Sequence, residues 1–182
     1  MDSPRLRVTH LVENLERGGL ERVVIDLARE QADAGHEVQV ACLFQPGLLA
    51  PELAKAGIEV IACGKRPGAD RAALRRIRDV LRAQRTQVLH THNPTPHYYG
   101  ALAALMERPG RLVNTRHGMG NAPFTLRREA LYRLALGRTD AVALVCRRAE
   151  ENFLPHRIVP RRKAPVVPNG IRTGAYRAPS PQ

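Results

Sequence analysis

Three short segments carry the residue types that could do chemistry. Arg17-Gly18-Gly19 comes just before a run with helical spacing, and backbone N–H groups at such a junction can cradle a phosphate or another anion. His90-Thr91-His92-Asn93, followed by His97, offers imidazoles that can donate or accept hydrogen bonds. Arg116-His117-Gly118-Met119-Gly120 sets a cation and an imidazole before a flexible turn against which a ligand can lie. Together they point to recognition of a hydroxyl-rich or phosphorylated ligand. Nucleophilic attack is not indicated: serine occurs only as Ser3 and Ser180, and Cys146 has no histidine beside it in sequence. Glu129, Glu150 and Glu151 read as ordinary helix surface, not as a catalytic carboxylate pair.

Each segment also has a plainer reading. Gly18-Gly19 matches neither the Walker loop nor the dinucleotide G-x-G-x-x-G, and a tight strand-to-helix turn uses the same glycines. His90 and His92 share one face of a strand, but no Cys or carboxylate stands near to complete a metal set, so no metal is expected. They either hydrogen-bond a ligand or cap the strand. Arg116 belongs to the same rim as His117, yet strand alternation turns the two toward opposite sides.

Alternating strands and helices position these segments. Strand-like runs cover 6–12, 37–43, 58–62, 87–91, 111–115, 141–145 and 164–167, with helical runs at 19–34, 49–56, 69–85, from after Pro94-Thr95-Pro96 to 106, 125–136 and 147–154. This pattern predicts an α/β, Rossmann-like open parallel sheet of about seven strands with helices on both faces. Ligands of such sheets bind beyond the carboxyl ends of the strands, which is where all three segments fall.

The chain has 182 residues, enough for one domain with a full core. No stretch approaches the ~18 consecutive apolar residues of a membrane span, and the first residues lack a signal peptide's apolar region. Cys42, Cys63 and Cys146 end strand-like runs and read as reduced, packed thiols of a cytoplasmic protein. A net charge of +12 favours anionic partners: nucleotide ligands, lipid headgroups or nucleic acid. The basic helices near 69–85 and 125–138, with Arg127, Arg128, Arg133 and Arg138, are either a solvated face or a peripheral membrane contact. Nucleic acid ranks last, because only seven aromatic residues are present to stack on bases.

Four stretches in order carry a resemblance: Glu-Arg-Gly-Gly-Leu-Glu-Arg, Val-Leu-His-Thr-His, Val-Asn-Thr-Arg-His-Gly and Val-Val-Pro-Asn-Gly-Ile. The chain resembles the N-terminal domain of family 4 retaining glycosyltransferases of the GT-B fold over about residues 5–172. The resemblance implies a domain over 1–170 that mainly holds the acceptor, then a tail or interdomain linker over 171–182. It implies that Gly18, Gly19 and Arg116 approach the diphosphate of a sugar nucleotide and that His117 contacts the donor sugar near the reacting carbon. Segment 90–97, with His90, His92, Asn93 and His97, would line the acceptor side. No cofactor or obligatory metal is implied. The expected partners are a nucleotide-sugar donor, a glycan, lipid-linked or small-molecule acceptor, and a C-terminal donor-binding domain that these residues lack. A chain of this kind alone would be inactive. The family's Asn-Gly-Ile-Asp stands here as Asn169-Gly170-Ile171-Arg172, and Cys146 replaces a common serine. Other readings are a non-catalytic module for a glycolipid or partner chain, and a basic binder of membrane surfaces or nucleic acid.

Overall fold

Runs rich in Val, Leu and Ala between helical segments form six parallel strands in the computed structural model, which describes residues 4–118, 126–154 and 159–170. The loop at Met119-Gly120, the side chains of Arg127 and Arg128, and the tail from Ile171 lie outside the described residues. The strands are β1 (Arg7–Val12), β2 (Glu37–Cys42), β3 (Glu59–Ala62), β4 (Val88–His92), β5 (Arg111–Arg116) and β6 (Ala141–Leu144). Between them run α1 (Gly19–Asp33), α2 (Ala50–Lys55), α3 (Arg71–Ala83), α4 (Pro94–Glu107) and α5 (Leu126–Ala135), and α6 (Arg147–Phe153) follows β6. The sheet order is β3-β2-β1-β4-β5-β6. The order reverses between β1 and β4, where an open α/β sheet forms its ligand crevice.

The expected seventh strand is not formed. Its segment touches β6 through one bridge, Leu144 to Val166, with the Leu144 N–H donating to the Pro165 carbonyl and the Val167 N–H donating back. Pro165 and Pro168 flank that contact and have no N–H to extend a ladder.

Strand alternation divides the core between the two faces. Val12, Val40 and Cys42 pack under Val24, Ile25 and Ala28 of α1 and Leu53 of α2. Leu11, Ala41, Leu89 and Leu112 face the other way, against α3 and α4. A third cluster joins Tyr132 of α5, Val142 and Leu144 of β6, and Phe153 of α6. Local chemistry sets several ends. Asp70 caps α3 by accepting from the Ala72 and Ala73 N–H groups, and backbone N–H donors hold its carboxyl down at about 2. Cys42 and Cys63 are buried free thiols, pushed up by burial to about 12 and about 11. Among the described residues no helix is long and apolar enough to cross a membrane.

Gly100 lets α4 lie close to the sheet. A Cβ there would come 2.7 Å from Thr91 Cγ2 and 3.2 Å from a Leu11 methyl. Thr91 cannot turn aside, because its hydroxyl bonds the Val113 carbonyl at 3.1 Å and the His97 ring at 2.8 Å. Gly100→Ala should therefore cost about 1–3 kcal/mol in urea unfolding, outweighing alanine's better helix propensity of about 1 kcal/mol. Unchanged stability would mean that α4 shifts freely on the sheet.

Candidate functional site

The C-terminal edge of the sheet carries the three segments, and the fold sorts their side chains onto two faces. On the α1 face, β1 presents His10, β4 presents His90 and His92, β5 presents Thr115, and His117 follows just past the end of β5. The register sets His10 directly beside His90 across the switch point. Four imidazoles follow: His90 stacks on His92 with ring centroids 4.4 Å apart, and His10 and His117 each lie 5.3 Å from His92. Hydrogen bonds connect them. His10 Nε2 meets Gln31 Oε1 of α1 at 2.7 Å, His10 Nδ1 meets His92 Nε2 at 3.0 Å, and His92 Nδ1 meets His117 Nε2 at 3.1 Å. His90 bonds Thr115 Oγ1 at 2.7 Å.

Burial makes these rings neutral bases. Desolvation lowers His10 and His117 to about 4, and it drives His90 and His92 well below the usual histidine value. In His90 and His92 the neighbouring rings push the same way, since a charge on one disfavours a charge on the next. His10, His90 and His92 bring ligating nitrogens within 4.8 Å of one another, which is close enough to raise the question of a metal. The arrangement does not suit one. His10 and His92 already bond each other, and the near-parallel stacking of His90 on His92 keeps their in-plane lone pairs from converging.

Asn93 fixes the outlet of this column. Its backbone takes a left-handed φ of 66°, and its side-chain oxygen accepts the His117 N–H at 3.1 Å. Its own N–H donates to the Thr115 carbonyl at 3.0 Å, tying the end of β4 to β5. Asn93 thus aligns His117, and its amide oxygen is already engaged.

Gly18 and Gly19 are exposed at the start of α1. Gly18 is its extended N-cap residue with no side chain to bond the helix, so the first N–H groups keep the open donors of any helix start. The Glu21 carboxylate folds back against Gly18, occupying the space a Cβ would need. An incoming anion must displace it.

Two expected site residues lie elsewhere. His97 is fully buried on the α4 face, bonded to Thr91 at 2.8 Å and Thr139 at 2.9 Å, and burial with the nearby Arg116 lowers it to about 3. It packs the core and does not join His90 and His92. Arg116 turns to the same face, as alternation requires. It is 5% exposed, donates to Glu129 Oε1 at 2.8 Å, and lies 4.6 Å from the Tyr132 ring and 4.3 Å from the Phe153 ring. A guanidinium held this way is turned away from the rim, which corrects its expected place beside Gly18 and Gly19. Glu129 is corrected too: at 7% exposure it is a buried partner, not helix surface. The basic face of α3 is partly neutralised, since Arg78 and Arg82 pair with Asp79 and Glu107.

Sequence spacing alone does not single out His10 or Gln31. Alternation put His10 on the same strand face as Val8 and Val12, but its neighbour His90 is eighty residues away and depends on the strand order.

A six-stranded sheet in this order, with its imidazoles and a glycine-opened helix start at the carboxyl edge, is one Rossmann-like half of a GT-B glycosyltransferase fold. The chain belongs to glycosyltransferase family 4, whose sequence profile matches residues 17–174. No curated protein sequence matches it. Solved structures share the fold. Anabaena HepE, in complex with UDP and glucose, superposes at TM-score 0.81 and 17% identity, over 97% of this chain and 48% of its own. A Rickettsia africae glycosyltransferase gives 0.75 at 18% identity, over 94% and 45%. Acinetobacter baumannii MurG gives 0.65 at 14%, over 96% and 48%. The chain thus spans about half the length of these relatives.

Proposed function

We propose that this domain works within a two-domain enzyme that moves a sugar from a nucleotide-diphosphate donor to a glycan, lipid-linked or small-molecule acceptor with retained anomeric configuration. The observation that carries the reading is His117. It is a neutral, aligned imidazole at the sheet's carboxyl edge, on the edge where α1 opens at Gly18-Gly19. Breaking the glycosidic bond puts negative charge on the departing diphosphate. The open N–H groups of α1 stabilise that charge as it grows, once Glu21 swings away. His117 holds the donor sugar through a hydroxyl. A facing domain excludes water, so that transfer outruns hydrolysis. UDP-glucose, bound by HepE, is the first donor to assay.

His117→Ala in the two-domain protein should lower kcat by about a hundredfold with the fold intact by circular dichroism. An unchanged kcat would remove His117 from the site.

A further inference from the structure

Hydrogen-bond polarity runs through the imidazole column from one end to the other. Each neutral ring carries one proton, and each bond needs one donor and one acceptor. At the α1 end stands Gln31 Oε1, a carbonyl oxygen that can only accept, 2.7 Å from His10 Nε2. The proton of His10 is therefore on Nε2, and its Nδ1 accepts. His92 must then donate from Nε2 across the 3.0 Å contact, which leaves its own Nδ1 to accept from His117 Nε2 at 3.1 Å. His117 ends with its proton on Nε2 and a bare lone pair on Nδ1, which has no hydrogen-bond partner among the described residues.

We propose that Gln31, His10 and His92 are positioning residues that set the tautomer of His117, so that its free nitrogen is a hydrogen-bond acceptor. The acid-side pKa values support this, because rings held neutral down to about pH 4 keep the one-proton count that the relay needs. The central His10–His92 bond is buried, so water does not compete for it, and the two outer bonds are part-buried. His10 is fully buried and His92 nearly so. His90 stands beside the column and does not break it, since its Nε2 bonds Thr115. An acceptor nitrogen suits a ligand hydroxyl and repels a phosphate oxygen. On this account His117 meets the sugar and not the diphosphate. That consequence rests on the sugar-transfer reading, whereas the tautomer does not.

Long-range ¹H–¹⁵N correlation of the histidine side chains reads tautomers directly in the ¹⁵N-labelled 182-residue chain near pH 7.5. His117 should be mainly the Nε2–H form, by about tenfold. A mainly Nδ1–H His117 in the unchanged chain would overturn the proposal. Reversing the far end is the stronger test. Gln31→Lys puts a donor at a half-buried helix position, so every bond must turn and His117 should become mainly Nδ1–H. A folded Gln31→Lys chain with His117 unchanged would show that the column does not transmit polarity. Adding His10→Phe to Gln31→Lys should end the dominance of the Nδ1–H form by cutting the relay; persistence of that dominance would mean the lysine acts through space. If that double variant fails to fold, Gln31→Met is the control. It supplies neither donor nor acceptor, so the roughly tenfold Nε2–H excess should shrink toward that of an isolated imidazole, and an undiminished excess would show that Gln31 does not set the tautomer. These spectra need no activity, so failure of the tautomer proposal is distinguishable from failure of the transferase reading.

Discussion

Acidification from about pH 7 to about pH 5 should cost this chain on the order of 5 kcal/mol or more of stability, enough to unfold a domain of ordinary stability. Five histidines share the cause: His10, His90, His92, His97 and His117 are all held neutral by burial. An unfolded histidine takes up its proton near pH 6.5, and the folded His10 and His117 do so near 4. Between those values the unfolded state binds more protons, so stability is full above about 6.5 and falls with pH toward 4. Each such group costs about 1 kcal/mol per pH unit, against the ~5–15 kcal/mol of an ordinary domain. The net charge of +12 grows further in acid and adds self-repulsion. Urea midpoints measured from pH 8 to 5 check this. A flat profile would mean that the rings are hydrated or already charged in the native chain.

The second large effect lies on the opposite face. Glu129→Ala should destabilise the fold by about 3–5 kcal/mol, because it leaves the Arg116 guanidinium buried without its carboxylate. The charge pair itself is worth less than that cost. Replacing both partners, Arg116→Met with Glu129→Leu, should recover most of the loss, since Tyr132 and Phe153 already make the pocket apolar. A double-mutant cycle in urea measures both numbers. A double variant as unstable as Glu129→Ala would show that the guanidinium stabilises through its rings and not through the pair. Because Glu129 is on α5 and Arg116 ends β5, this ion pair also fixes where the chain resumes after the loop beyond His117.

Much of this architecture could be read from periodicity. The first helix, expected over 19–34, runs Gly19–Asp33, and strands expected at 111–115 and 141–145 run Arg111–Arg116 and Ala141–Leu144. The segment at 164–167 misled because its Ala and Val residues have strand character, while Pro165 and Pro168 withhold the N–H groups a ladder needs. In the site, alternation separated Arg116 from His117 correctly, but it could not show that a glutamate thirteen residues later waits on the inner side. Nor could spacing distinguish His97 from His90 and His92. They are close in the chain, but His97 lies on a helix packed behind the strand. The column was least legible, since its links join residues 21, 82 and 25 positions apart.

Strand β1 is joined on its two sides across very different lengths of chain. Its ladder with β2 joins residues thirty positions apart, and its ladder with β4 joins residues eighty apart. Closing the longer span costs more chain entropy and comes later. A chain in which β4 has not yet docked would have an open edge at His10, with that ring parted from His90 and His92 and all of them wet and easily protonated. Acid should therefore act on assembly as well as on the finished fold, by charging both sides of this seam before it closes. Refolding below about pH 6 should stall as a half-built sheet whose exposed edge can pair with other chains.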